Sequence, residues 1–221
     1  MSDSLTTLTT KLQALLMDGG TLFTSTTCTA AIRQALGQLN LRMPIHAGTL
    51  IDTVDGQYEY ELTAALAGAT PLTVTDVLLS DPSGGEYHVP LTFEHYIEDE
   101  RWFIRLETPQ AGSGQLIVRF SQAHTINGLD SETESTLSAQ ADVVLLDGAA
   151  AQACTIASAG KVEANNLDPQ TADNYGKAAT RFDIAFGSGI AALTRRRRIQ
   201  RSVPDTRAWN DEWHIWPDRT I

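Results

Sequence analysis

Apolar residues follow two different periods along this chain, and the changes of period divide it into parts. Leu5, Leu8, Leu12 and Leu15 recur at helical spacing behind Ser4, whose hydroxyl can cap a first turn. Asp18-Gly19-Gly20 stops that pattern. Ser25 is the expected cap of a second helix, in which Cys28, Ile32, Ala35, Leu36 and Leu39 form an apolar stripe and Arg33 falls on the outer side. Two short helices joined by a glycine turn need a partner to bury such a stripe.

From about Gly48 the period becomes two. Tyr58, Tyr60 and Leu62 point one way, and Glu59 and Glu61 the other. Asp55-Gly56 predicts a two-residue hairpin that joins Leu50–Val54 to Gln57–Leu62. Leu72–Leu79 reads as a further strand, and Gly84-Gly85 turns the chain into Tyr87–Val89. The stretch from Pro90 to Glu100 reads as an irregular or helical piece. Trp102, Ile104 and Leu106 alternate with Phe103 and Arg105, and Leu116, Val118 and Phe120 alternate with Ile117, Arg119 and Ser121. Five or six short strands in about 80 residues predict a small antiparallel sandwich or barrel.

The helical period returns after Leu137. Ser138 can cap, Asp142 falls in the first turn, and Val143, Leu146, Ala150 and Ala153 form the expected stripe. Asp168-Pro169 predicts another helix start, since proline at the first position lacks only a donor that is not needed there. Tyr175, Phe182, Phe186, Ile190 and Leu193 then mark a core face, with Phe182 and Phe186 expected to be buried. Gly187 and Gly189 imply a close backbone approach or a kink, because each costs about 1 kcal/mol against alanine. The predicted class is α+β. N- and C-terminal helix pairs form a helical domain from residues 1–46 and 126–198. An antiparallel sandwich or barrel-like region is inserted at 47–125, and 199–221 form an extended tail.

Charge sharpens this division. The net charge is −11, but residues 195–221 hold seven arginines against four acids, so that stretch is +3 and the remaining residues are −14. An acidic body argues against general nucleic-acid binding, which depends on basic groups that displace phosphate counterions. No apolar run approaches the length needed to cross a bilayer, and the N-terminus lacks the basic start and apolar core of a signal peptide. A soluble protein made in a cytoplasm is expected, with Cys28 and Cys154 as packed thiols rather than a disulfide.

Candidate chemistry is sparse. The five histidines show neither the helical spacing nor the Cys/His grouping of a zinc site. His88 and His95 with Glu94, Glu98 and Glu100 could be drawn together around a metal, but a solvated loop accounts for the same residues. Asp130, Glu132 and Glu134 could ligate calcium, yet the EF-hand pattern is absent. There is no phosphate-binding loop, dinucleotide fingerprint or nucleophile elbow. No catalytic residue, metal or cofactor is expected, and the chain does not read as an enzyme.

The segment Gln115–Ala159 carries a resemblance. It has a strand ending in Ala-His-Thr-Ile-Asn-Gly-Leu-Asp, an acidic Ser/Thr loop and an alanine-rich helix. With the helix pair at Leu5–Leu39 and the strands around Asp55-Gly56, it resembles the neck adaptor, or head–tail connector, proteins of tailed bacteriophages. The resemblance implies a virion protein that forms a ring of twelve copies under the portal. Such a ring extends the DNA channel, lets DNA pass without specific binding, and presents a platform to tail or neck proteins.

The most distinctive stretch is Thr194–Ile221. It holds Arg195, Arg196, Arg197, Arg198, Arg201 and Arg207, together with Trp209, Trp213 and Trp216, three of the four tryptophans. Tryptophan and arginine are enriched in interface hot spots, and Pro204 and Pro217 restrict any helix there to a short piece. These residues are the expected contacts to the portal or a neighbouring subunit. The alternative is a nucleic-acid-binding module, with guanidinium groups on phosphates and indoles stacked on bases.

Overall fold

The computed structural model describes residues 3–17, 22–66, 71–80, 88–110, 114–163 and 169–202. The chain divides into two compact units. One is built from Met1–Pro44 and His124–Gln200, and the other contains Ile45–Ala123, inserted between those two stretches.

The first unit is helical. α1 (Leu5–Leu15) starts where the Ser4 hydroxyl accepts from the Thr7 amide at 3.4 Å. It ends at Leu15, and two residues on, Met17 has a φ of 51°, in the left-handed region. The expected stop at 18–20 lies outside the described residues. α2 (Ser25–Arg42) is capped by Thr24 rather than Ser25, with the Thr24 hydroxyl accepting from the Thr27 amide at 3.3 Å. The expected stripe of α2 is buried, and Cys28, Ile32, Ala35 and Leu39 have no solvent exposure. α3 (Ala139–Glu163) follows the Ser138 cap, whose hydroxyl accepts from the Ala141 amide at 3.2 Å. α4 (Pro169–Ser202) begins at the expected proline and continues for 34 residues, about 50 Å of helix. It includes residues 199–202, which were expected in the tail.

The expected stripe of α3 is buried at Ala150 and Ala153, and Leu146 is partly buried against the same core, so only Val143 departs from it. Val143 is 62% exposed, whereas Val144, Leu145, Ala149 and Ala153 are buried. α3 is rich in alanine and buried on more than one side, so its pattern marks no single face. On α4 the core side is as expected in direction. Phe186 and Ile190 are buried, but Tyr175, Phe182 and Leu193 are only partly buried against the same core. Phe182 is therefore a border residue, and Phe186 is the anchor.

α3 and α4 pack antiparallel. Gln140 accepts from Arg196 at 2.7 Å at one end, and the Ser158 hydroxyl donates to the Ala172 carbonyl at 3.2 Å at the other. Between these ends the contact is made at glycines. A Cβ on Gly148 would meet the Phe186 ring at 2.8 Å, and one on Gly189 would meet Val144 at 2.7 Å. Each helix thus seats a side chain of the other in a hole left by glycine. Of the two glycines singled out from sequence, Gly189 is such a hole, but Gly187 is open, with nothing within 4 Å of a Cβ there.

The second unit is a β sandwich. β1 (Ile45–Asp52), β7 (Gln115–Gln122), β3 (Pro71–Ser80) and β4 (His88–Pro90) form one antiparallel sheet in that order. β2 (Glu59–Glu61), β6 (Arg101–Leu106) and β5 (Phe93–Glu98) form a second. Tyr60, Ile104 and Leu106 of the smaller sheet share one core with Val74, Val77, Leu116, Val118 and Phe120 of the larger. Two separate ladders around a shared core make a sandwich, not a closed barrel.

Two expectations fail here. Asp55-Gly56 does turn the chain, with Gly56 at φ 75° and the Gln57 amide donating to the Val54 carbonyl at 3.1 Å. It does not make a hairpin: β1 pairs with β7 and β2 with β6, so the turn carries the chain from one sheet to the other. The stretch from Pro90 to Glu100, expected to be irregular or helical, contains strand β5. β5 joins β6 through Asp99 and Glu100, with φ of 48° and 63°. Positive φ at both central residues is the hairpin geometry that matches strand twist.

Candidate functional site

The segment that follows β7 is a folded strap, although no element of regular structure occurs in it before α3. Ile126 and Leu129 are its buried pins. The His124 amide donates to Asn40 Oδ1 at 2.7 Å, and its buried ring lies between the Met43 carbonyl at 3.0 Å and the Thr136 hydroxyl at 3.3 Å. Thr125 and Thr136 are tied by reciprocal hydrogen bonds of 2.9 and 3.1 Å. At the tip, Asp130 and Ser131 both have positive φ, and the Arg33 guanidinium grips the Asp130 carboxylate with two hydrogen bonds. That grip holds the Asp130 carboxyl below the ordinary range and raises Arg33. Asp130 therefore serves as an ion-pair partner in this fold.

The N-terminus is fastened to the same strap. The Leu5 amide donates to the Asn127 carbonyl, the Ser135 hydroxyl to the Asp3 carbonyl, and the Asp3 amide to Asp142 Oδ2, each at 2.9 Å. The other oxygen of Asp142 is buried without a hydrogen-bond partner among the described residues. Burial accordingly raises its carboxyl above the usual range, while the Asp3 amide bond opposes that shift. Half-buried Asp147, one turn further along α3, is raised by burial alone.

The residues proposed from sequence as contacts are divided by the structure. Arg195 and Arg196 lie on the exposed side of α4, with Arg196 held by Gln140. Arg197, Arg198 and Arg201 continue the helix backbone. Arg207, Trp209, Trp213 and Trp216 lie outside the described residues.

No protein-family model matches this chain, and no curated protein does. Among solved structures it is similar to a chain from the neck of an empty GTA particle computed with C6 symmetry, at 17% identity and a TM-score of 0.28. That match covers 64% of this chain and 74% of the other.

Among the described residues no three His, Cys, Asp or Glu side chains are grouped as metal ligands would be, and the His88 side chain lies outside those residues. His95 instead stacks on Trp102, with ring centroids 6.1 Å apart and planes at 17°. Glu94 and Glu98 point to the other face of β5. Cys28 and Cys154 are both buried and not joined in a disulfide; the Cys28 thiol donates to the Phe23 carbonyl at 3.6 Å, and burial pushes the Cys154 thiol up.

That outer face of the smaller sheet was not singled out by sequence. Tyr96 stacks on Phe103 with centroids 5.4 Å apart. A hydrogen bond to the Glu59 carboxylate pushes the Tyr96 phenol up to about 12. Arg105 stands in register between Glu59 and Glu94, and Arg101 is 3.8 Å from Glu61. At the end of this sheet lies an open cleft of about 450 Å³. Tyr58, Phe93, Glu94, Arg105 and Glu107 line it together with Leu106, which is itself only 2% exposed and part of the sandwich core.

Proposed function

We propose that this protein is a structural connector of a tailed-bacteriophage neck. In this reading it assembles as a ring, probed first as a dodecamer, below the portal. It extends the DNA channel and gives tail or neck proteins a platform. Its work is assembly and passage without a chemical step, and it acts in the virion after synthesis in the host cytoplasm. The observation that supports the reading best is the order of parts on which the resemblance rests. A sandwich strand hands over to a hydrogen-bonded strap pinned to an N-terminal helix pair, and the strap to a helix of small residues. The basic, tryptophan-rich end supplies the outward contacts: Arg195–Arg198 pair with acidic groups, and Trp209, Trp213 and Trp216 fill apolar pockets on the portal or a neighbouring subunit.

Imaging intact particles with an antibody label against this chain tests the placement. Density between capsid and tail is expected, and label elsewhere in the particle refutes it. Deleting residues 203–221 should leave the helical melt intact and abolish attachment to the capsid. A salt-sensitive complex of the monomer with DNA at physiological ionic strength would favour the nucleic-acid-binding alternative instead.

A further inference from the structure

Among the described residues the two sheets end in the outer strands β1, β4, β2 and β5, and three of these are guarded against pairing. β2 and β4 are three residues long, and β4 ends in Pro90. β5 carries carboxylates at Glu94 and Glu98. Short strands, proline and charge are what keep an edge from recruiting another strand. β1 is eight residues without proline, lysine or arginine, and its one carboxylate, Asp52, stands at the end. The Thr53 amide donates to the Gly114 carbonyl at 2.9 Å and so extends the β1–β7 ladder by one pair. Bonded and non-bonded residues alternate along an antiparallel ladder. The odd-numbered residues of β1 therefore bond to β7, and the N–H and C=O groups of His46, Gly48, Leu50 and Asp52 face away from it. No described residue hydrogen-bonds to those groups. The four residues are also exposed, Leu50 by 57%.

We propose that β1 pairs antiparallel with β1 of a second copy of this chain, about a two-fold axis at Thr49. The free edge itself selects this register. Only even-numbered residues present edge groups, so they must oppose even-numbered residues. Setting Thr49 against its own counterpart puts Gly48 opposite Leu50 and His46 opposite Asp52, and it uses every edge-facing N–H and C=O of both strands. Sliding one step either way carries His46 or Asp52 past the end of the partner strand. The side chains suit the same register. Leu50 lies beside the bare backbone of Gly48. His46 can donate to Asp52, whose Oδ1 accepts from Gln115 Nε2 at 3.0 Å and whose Oδ2 is left for it. On the other face Ala47 meets Ile51, and both are only partly buried in the single copy. Each inserted unit, 45–123, carries twelve acids against three arginines, so the copies repel until salt screens them. A contact of this isologous kind closes at two copies. It gives a dimer of the free protein, does not by itself build the connector ring, and is tested apart from that reading.

Sedimentation velocity of the full chain should show the 24.0 kDa monomer in equilibrium with a dimer, shifted toward the dimer as salt rises. Leu50→Lys puts a guard charge on an exposed edge position. It should keep the parent's melt and weaken the dimer about tenfold or more, since the position occurs twice in the contact. His46→Asp, opposite the second copy's Asp52, should weaken it as well, and His46→Lys should not. Cross-linking reads the register. Thr49→Cys sets two thiols at a directly opposed, non-hydrogen-bonded pair with Cα atoms about 4.5 Å apart, within the roughly 4.4–6.8 Å that a disulfide spans. Mild oxidation should give a disulfide dimer from Thr49→Cys and not from His46→Cys, whose thiols lie at opposite ends of the ladder. The Thr49 hydroxyl donates to the Ala65 carbonyl at 2.9 Å. If Thr49→Cys melts early for that reason, Gly48→Cys mixed with Leu50→Cys makes the same test, and the two should cross-link to each other more than either does to itself. A parent that stays monomeric up to its solubility limit, a Leu50→Lys variant that dimerises like the parent, or cross-linking that ignores this register would each overturn the proposal.

Discussion

Two glycines on α4, two residues apart, should answer the same substitution with opposite signs. At Gly187 nothing lies within 4 Å of a new Cβ. Alanine there gains only helix propensity, about 1 kcal/mol of stability. At Gly189 the Cβ would sit 2.7 and 2.9 Å from the two methyls of Val144, well inside the ~3.5–4.0 Å at which carbon atoms attract. Overpacking of this kind costs about 1–3 kcal/mol. The same ~1 kcal/mol propensity gain offsets part of it, so Gly189→Ala should be neutral to ~2 kcal/mol destabilising. The two variants should differ by roughly 1–3 kcal/mol, several degrees in a thermal melt followed by helical ellipticity. Val144→Ala reopens the space, so in the Gly189→Ala background it should cost less than it does alone, by about 0.5 kcal/mol or more. Equal melts for the two alanine variants, or additive behaviour with Val144→Ala, would refute the glycine-seated contact between α3 and α4.

Further expectations follow the same reasoning. Phe186→Ala should destabilise by roughly 3–5 kcal/mol in chemical denaturation, clearly more than Phe182→Ala, because Phe186 is 1% exposed and Phe182 only borders the core. In a spectrophotometric titration Tyr96 should keep its proton to about pH 12, and Glu59→Gln should bring it back toward the ordinary tyrosine range. Because its folded pKa is raised, the stabilisation from Tyr96 is complete below its ordinary pKa and is lost as pH climbs through about 12. Asp147 has a raised carboxyl pKa through burial, so it favours the folded state most at low pH, and that contribution falls as pH rises through the raised value. Asp147→Asn should therefore be more stable than the parent at neutral pH and show a flatter pH profile in the acid range.

The parts legible in the sequence were those where one physical signal acted alone. β7 has one buried and one more open face, so strict alternation revealed it. Ser4, Ser138 and Pro169 marked helix starts because a cap or a missing donor works locally. The readings that failed are those where tertiary structure chose between equal local options. Asp55-Gly56 favours a tight turn, but whether the flanking strands pair with each other is decided by β6 and β7, strands distant in sequence at Arg101–Leu106 and Gln115–Gln122. The β5–β6 hairpin turns at Asp99-Glu100, without the asparagine or glycine that usually marks left-handed backbone. The Tyr58–Phe93–Glu107 cleft had no signature, since it is assembled from three separate stretches of ordinary residues. The Arg/Trp segment was conspicuous by composition alone.

The chain enters the sandwich strands at Ile45 and leaves them at Gln122, at neighbouring positions of one ladder, where the two residues are partners. Partners in such a ladder have Cα atoms about 4.5–5.5 Å apart, a gap that one or two residues can span. The insert is thus a cassette with adjacent splice points. It can be removed, lengthened or exchanged without asking the helices on either side to move their ends. Genetic change could re-tailor what the sandwich presents while leaving the helical scaffold as it is.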